Sequence, residues 1–151
     1  MVPTALLLFA ISVAKPEATR SLVHVDDAIA NLVTPIIQAA ASSRSAGDNE
    51  QGLYSSVYRK LPSLLDHRNR KTDEALVVLL GFDLGESANG DIACELVARG
   101  PRMLPILRRF QNANVVFPRF TVPSSVPRWN AIYGYVIEQI ERRQKCMRDV
   151  P

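Results

Sequence analysis

Apolar residues recur at the three- and four-residue spacing of an α-helix in several windows of the chain, and the alternation typical of a β-strand is almost absent. The segment from Asp26 to Ser43 places its apolar residues on one stripe and begins with two acidic residues, which favour a helix start. Pro35 interrupts this segment, so the pattern predicts either one kinked helix or two short helices. A second stripe runs from Leu53 to Leu65 and bends near Pro62.

The middle of the chain holds its most continuous apolar run, from Ala75 to Phe82. A helix that is apolar nearly all round is typical of the centre of a bundle, so this helix is predicted to be the most buried one. Thr72 is predicted to cap its start, ahead of two acidic residues. Gly81 and Gly85, four residues apart, would let another helix approach closely.

Two further helices are predicted after this central one. Asn89-Gly90-Asp91 are expected to form a turn that leads into a helix from Ile92 to Arg99. Gly100-Pro101 then ends that helix and begins the next one, which extends to Gln111.

The C-terminal part of the chain combines an extended segment with a last helix. Residues 112–127 are predicted to be an extended, proline-rich strap with room for one short edge strand, because their prolines argue against a central strand. A final helix is predicted over about residues 127–148. The predicted fold class is therefore all-α: a single irregular or orthogonal bundle of five or six helices, with the strap before the C-terminal helix.

The first fourteen residues carry no charge, and Ala5 to Ala14 is an almost unbroken apolar run. Such a run is shorter than the about 20 residues that cross a bilayer, and it matches the apolar region of a secretory signal peptide, with small residues at Ser12 and Ala14. No lysine or arginine precedes it, which departs from that pattern and leaves a membrane anchor or a buried N-terminal helix of a cytoplasmic protein open. The prediction is a signal peptide over residues 1–14, a single helical domain over residues 15–151, and export to the periplasm or the extracellular space.

The composition is that of an ordinary globular domain, with 47% hydrophobic and 22% charged residues. It excludes disordered, collagen-like, disulfide-dense and multi-span membrane proteins. The net charge of +3 is only mildly basic. Because the basic residues are interspersed with acids and not with aromatic residues, they predict a solvated face, argue against nucleic acid, and leave weak contact with an anionic membrane surface open. They form three groups: Arg68, Arg70 and Lys71; Arg99, Arg102, Arg108 and Arg109; Arg142, Arg143, Lys145 and Arg148.

The two cysteines, Cys94 and Cys146, fit no metal-binding motif, because no CxxC is present and the two histidines are not paired. In an oxidising compartment they can form a disulfide, which would stabilise the fold by about 4 kcal/mol in the chain-entropy model. Cys94 lies in an apolar segment where a small buried thiol is also common. Helical spacing would place Cys146 about 110° from the centre of the last apolar stripe. The sequence therefore leaves both a disulfide and two free thiols open.

Residues 81–110 alternate between helix-forming segments and turns, with Gly100-Pro101 at the corner and the pattern Pro-x-x-Leu-Pro-x-Leu after Gly100. This stretch resembles a single HEAT-type helical hairpin. The chain has no second copy of it, and a solenoid needs about three repeats, so a repeat array is excluded. The resemblance implies a packed α-hairpin in an interaction protein and implies no chemistry.

Acidic residues cluster around the predicted turn near residue 90, where paired carboxylates can serve acid–base hydrolysis or bind a hard cation. Solvation and helix capping account for the same residues without chemistry, and the spacing of a calcium loop is absent. His24 and His67 fall in a flexible N-terminal segment and a charged loop, so both are predicted to lie at the surface. The four acids are Asp83, Glu86, Asp91 and Glu95.

The chain contains no catalytic serine motif, no phosphate-binding loop and no dinucleotide fingerprint. We therefore predict no catalytic residue, no metal and no cofactor. The favoured function is that of a small exported helical protein that acts by binding another protein of unknown identity. The alternatives are an envelope enzyme or inhibitor that uses the acidic turn, and a cytosolic nucleic-acid-binding module.

Overall fold

The structure is a computed structural model and describes residues 21–118 and 131–146. The described chain is mainly helical, and the predicted all-α class is confirmed. The described residues form seven α-helices where five or six were predicted, because the stripe from Leu53 to Leu65 divides into two helices; a short 3-10 turn and a two-stranded sheet are also present. The helices are α1 (Asp27–Ser45), α2 (Glu50–Tyr58), α3 (Pro62–Leu65), α4 (Arg70–Leu80), α5 (Glu86–Arg99), α6 (Leu104–Phe110) and α7 (Ala131–Glu141), with a single 3-10 turn at Pro101–Met103 and strands β1 (Leu22–His24) and β2 (Asn114–Val116).

Helix α1 is one continuous helix and not two. Asp26 caps its start, where a side-chain oxygen accepts a hydrogen bond from the backbone N–H of Ile29 at 2.8 Å. Pro35 lies inside the helix and has no N–H to donate to the carbonyl four residues earlier. The buried stripe extends on both sides of Pro35, and packing of that stripe against α2 and α4 keeps the helix intact.

Helix α4 forms the centre of the core, as its apolar run predicts. Ala75 to Leu80 are all buried, and α4 packs against α1, α3, α5 and α6. The predicted cap at Thr72 is wrong, because the helix begins earlier and its cap is Asn69. The Asn69 side chain accepts from the backbone N–H groups of Lys71 and Thr72, while the Thr72 hydroxyl accepts from the Asn69 N–H at 3.1 Å. This reciprocal pair is a capping box.

The close approach predicted at Gly81 is confirmed, and the residue that makes it comes from α7. The Tyr133 hydroxyl donates to the carbonyl of Val77 at 2.8 Å. A β-carbon added at Gly81 would lie 2.5 Å from that hydroxyl oxygen. The absence of a side chain at Gly81 therefore admits the buried Tyr133 ring against the end of α4.

The turn predicted at residues 89–91 is wrong, because α5 begins at Glu86 and continues through them. The chain turns earlier, and Gly85 precedes the helix with a φ of 97°, which favours glycine. Asn89 is buried inside α5: its side chain accepts from the N–H of Leu84 and donates to the carbonyl of Phe82, each at 2.8 Å. Asn89 therefore does not form a turn. Its side chain forms hydrogen bonds with backbone groups of the loop before α5 that would otherwise be buried without partners.

Strands β1 and β2 pair in parallel, with Val23 opposite Val115 in the register. The prediction that His24 belongs to a flexible segment is wrong, because His24 lies in β1 and pairs with Val116. Strand β2 falls in the predicted strap, where a short edge strand was expected. The strap beyond Pro118 lies outside the described residues, as does the predicted signal peptide.

Helix α7 ends at Glu141 and not near residue 148. Arg143 follows with a φ of 52°, which turns the chain out of the helix. Cys146 therefore lies beyond the helix, and the position that helical spacing gave it does not apply. The predicted start of this helix and Arg148 are outside the described residues. Within residues 21–118 and 131–146, no helix combines the length and apolar character needed to cross a membrane.

Candidate functional site

Helix α5 carries a buried charged residue at its C-terminal end. The Arg99 side chain has no exposed surface, and its guanidinium contacts two carboxylates. Nε donates to Oε1 of Glu95 at 2.8 Å, and Nη1 donates to Oδ1 of Asp73 in the first turn of α4 at 2.7 Å. A buried arginine is tolerated when it is paired and fully hydrogen-bonded, and Arg99 meets the first condition.

The remaining donors of Arg99 bind the segment between α3 and α4. Nη2 donates to the carbonyl oxygens of Leu64 at 3.0 Å and His67 at 3.0 Å, and it also approaches that of Leu65 at 3.3 Å. Nη1 contacts the Thr72 hydroxyl at 3.2 Å. Carbonyls at the end of a helix lack intrahelical partners, and here the guanidinium supplies them. Arg99 therefore ties the C-terminus of α5 to the loop that precedes α4.

Two exposed arginines extend this arrangement towards solvent. Arg68 Nε donates to Oε1 of Glu95 at 3.0 Å, and Arg102 Nη2 donates to Oδ1 of Asp73 at 2.9 Å. Each carboxylate thus lies between the buried guanidinium and an exposed one. We call Arg99, Asp73, Glu95, Arg68 and Arg102 together the arginine clamp. The prediction that Arg99 belongs to a solvated basic face is wrong, since its side chain is fully buried.

Other members of the basic groups are also paired with acids. Arg109 contacts Glu74 at 2.9 Å, and Arg108 forms an ion pair with Glu141 of α7. Both arginines and Glu141 are about half exposed, whereas the Glu74 side chain is only 13% exposed. The Arg108–Glu141 pair therefore contributes little to stability. The positive charge of both arginines is matched by an acid of the chain, and the exposure of their side chains agrees with the expected solvated face.

The four acids of the candidate turn lie in different environments. Asp83 pairs with Arg44 of α1 at 2.8 Å and also accepts from the N–H of Gly85 at 3.1 Å. Glu95 belongs to the arginine clamp. Glu86 is exposed in the first turn of α5, and Asp91 is half-buried further along that helix. In the described part of the chain, no three His, Cys, Asp or Glu side chains form a group that could hold a metal ion.

The two histidines lie at the surface, as predicted. Nδ1 of His67 is 2.7 Å from the carbonyl oxygen of Ser63 in α3, one turn earlier. His24 is exposed on β1. The part of His67 that enters the arginine clamp is its backbone carbonyl, and its ring lies outside the clamp.

Cys94 and Cys146 are joined by a disulfide. Their α-carbons are 5.3 Å apart, a normal spacing for this bond, and the residues are 52 apart in the chain. The bond attaches the segment that follows α7 to the middle of α5. Beside it lies an open cleft of about 280 Å³ lined by Val97, Ala98, Gln144, Lys145 and Cys146.

Arg99 makes the most polar contacts of these residues, and the sequence offered it only as a member of a basic group. Glu95 and Arg99 stand four apart on a helix, a spacing that predicts an ion pair. Nothing local predicts that three carbonyls of another segment surround Arg99. Asn89 carried a signal for a turn, and its burial depends on the loop before α5. The contacts of Asn89 and most contacts of Arg99 are made with other segments of the chain, so spacing within one helix could not reveal them.

The chain was compared with protein-family models, with curated proteins and with solved structures, and no significant match was found in any of the three comparisons.

Proposed function

We propose that this is a small exported helical protein that acts by binding another protein and carries no catalytic site of its own. The Cys94–Cys146 disulfide is the observation that carries this proposal. Disulfides persist in oxidising compartments and are rare in proteins of the reducing cytosol. A disulfide between two separate elements therefore supports the export that residues 1–14 predict.

The use of charge in the structure supports binding over catalysis. A catalytic acid pair needs carboxylates that converge on a shared substrate position. Asp83 and Glu95 instead contact arginines of different segments. This arrangement favours a structural role for both acids, and nothing in the site favours the enzyme or nucleic-acid alternatives over the binding function. The likeness of residues 81–110 to a HEAT-type hairpin points to the same class of interaction protein.

Helix α2 offers the best candidate for the binding surface. Tyr54 is 41% exposed, and its ring stacks on that of Tyr58, with ring centroids 4.0 Å apart. Exposed tyrosines are enriched at protein interfaces, and stacking fixes the ring before a partner arrives. Tyr135 on α7 is 50% exposed and has no stacking partner among the described rings, which makes it a matched control.

Capture of a partner tests the binding function. The chain from Lys15 onward serves as bait in an extract of the native extracytoplasmic fraction, beside its Tyr54→Ser and Tyr135→Ser variants. We expect one protein to be retained by the unaltered chain and the Tyr135→Ser variant and to be lost from the Tyr54→Ser variant. Equal retention by all three chains contradicts binding through α2, and no retained protein contradicts the binding function.

A further inference from the structure

The chain contains four pairs of adjacent basic residues. Some endoproteases recognise such a pair, because two neighbouring pockets of their active-site cleft are acidic and each binds one basic side chain. Whether such a pair can be cleaved depends on the backbone around it, because a protease must draw the segment into its active-site cleft. The four pairs differ in this respect. They are Arg59-Lys60, Arg70-Lys71, Arg108-Arg109 and Arg142-Arg143.

Three pairs are protected by the residue that follows them. Leu61, Thr72 and Phe110 come directly after the first three pairs, and each is at most 6% exposed. Cleavage after the pair would require that buried side chain to leave the core. Two of these pairs also lie within helices α4 and α6. Their cleavage therefore requires opening of the bundle.

The fourth pair lies in a different setting. Arg142 and Arg143 follow the last residue of α7, and both are exposed. Gln144 and Lys145, the next two residues, are exposed as well. The positive φ of Arg143 takes the chain out of the helix. The contact of Arg142 with Glu138 is between exposed side chains and holds the pair only weakly.

Three backbone hydrogen bonds hold this segment to the end of α7. The N–H groups of Arg142, Arg143 and Gln144 donate to the carbonyls of Glu138, Ile140 and Gln139, at 2.9, 3.1 and 3.0 Å. These bonds belong to the end of α7, where fraying costs little free energy. The buried face of α7, which includes Tyr133 and Ile140, lies before the pair and need not move.

We propose that Arg142-Arg143 is a processing site, cleaved at the Arg143–Gln144 peptide bond by a serine endoprotease that selects paired basic residues. Hydrolysis adds one water, leaves a carboxylate on Arg143 and an ammonium group on Gln144, and needs no oxidant or reductant. The Cys94–Cys146 disulfide lies beyond the cleaved bond, so the fragment that begins at Gln144 stays attached to α5. The product is a two-chain protein with an intact helical bundle. This inference goes beyond the proposed binding function and does not depend on the partner.

The test uses the full oxidised chain and a subtilisin-like protease selective for paired basic residues, with intact-mass analysis at successive times. We expect a first product heavier by one water without reductant, which separates after reduction into a long fragment ending at Arg143 and a short one. Cleavage at this pair should be more than about tenfold faster than at any other pair, because it needs only local opening. Failure of the binding function would leave this result unchanged.

Two variants make the test specific. Arg143→Gln should abolish the first cleavage, and Arg109→Gln, in the pair that precedes the buried Phe110, should leave it unaltered. First cleavage after Lys60, Lys71 or Arg109 would overturn the proposal. So would resistance of the Arg143–Gln144 bond under conditions that cleave an unfolded peptide of the same sequence.

Discussion

Helix α5 has Glu95 and Arg99 in its last turns, and the end of α7 has Glu138 and Arg142 at the same four-residue spacing. Both pairs form the contact that this spacing predicts. The Arg99 side chain is fully buried and also contacts Asp73 and three backbone carbonyls, whereas the Arg142 side chain is 64% exposed. The same four-residue spacing therefore occurs in two different environments. The Glu95–Arg99 pair helps to join α5 to other elements of the fold, whereas the Glu138–Arg142 pair lies on an exposed segment.

The largest effect is expected at Arg99, because its removal leaves Asp73, Glu95 and the carbonyls of the α3–α4 segment without their buried partner. Arg99→Ala should lower the free energy of unfolding by about 3–5 kcal/mol. Urea unfolding followed by circular dichroism measures this loss. Arg99→Lys is the companion variant: it keeps the charge but cannot reach all these partners, so it should recover only part of the stability. Full recovery of the free energy of unfolding would contradict the claim that the Arg99 guanidinium stabilises the fold by bonding to several partners at once.

The next largest effect is expected from removal of the disulfide that attaches the segment after α7 to α5. Replacing both Cys94 and Cys146 with Ala should lower the free energy of unfolding by about 2–4 kcal/mol, chiefly through the unfolded chain. The far-ultraviolet circular dichroism of the folded state should stay helical, because the buried face of α7 does not depend on the bond. Loss of the folded spectrum under native conditions would show that the bond is needed to form the bundle and not only to retain the segment after α7.

A smaller effect is expected at Asn89, which is buried near the beginning of α5. Asn89→Ala would leave the N–H of Leu84 and the carbonyl of Phe82 without their buried partner. We expect the free energy of unfolding to fall by about 1–3 kcal/mol. Hydrogen exchange at Leu84 should become faster while exchange within α4 changes less. An unaltered exchange rate at Leu84 would contradict the assigned role of the Asn89 side chain.

The smallest effect is expected at the exposed pair. Arg142→Ala should change the free energy of unfolding by no more than about 0.5 kcal/mol, since an exposed helical ion pair contributes little. Its effect should shrink further as salt is added. The urea midpoint at low and high ionic strength measures both. A loss as large as that of Arg99→Ala would remove the distinction between the two helix ends.

The apolar stripes were sufficient to predict the helical class and the central position of α4, because burial of a continuous apolar face dominates those choices. They could not predict the parallel pairing of β1 with β2, since Val23 and Val115 are distant in sequence and the strands are short. Asn89 misled the prediction because asparagine favours turns until a buried partner is available. The four-residue spacing of Glu95 and Arg99 predicts their contact. The burial of Arg99 could not be predicted, because it depends on a segment some thirty residues away.

The most direct test of the central claim, an exported protein closed by a disulfide, is the thiol state of the protein in its own compartment. Free thiols are alkylated in intact cells before lysis, the protein is recovered from each fraction without reduction, and its mass is measured. We predict a protein from the extracytoplasmic fraction that begins at Lys15 and carries no alkyl group on Cys94 or Cys146. A cytoplasmic protein that retains Met1 and is alkylated on both cysteines would contradict the account.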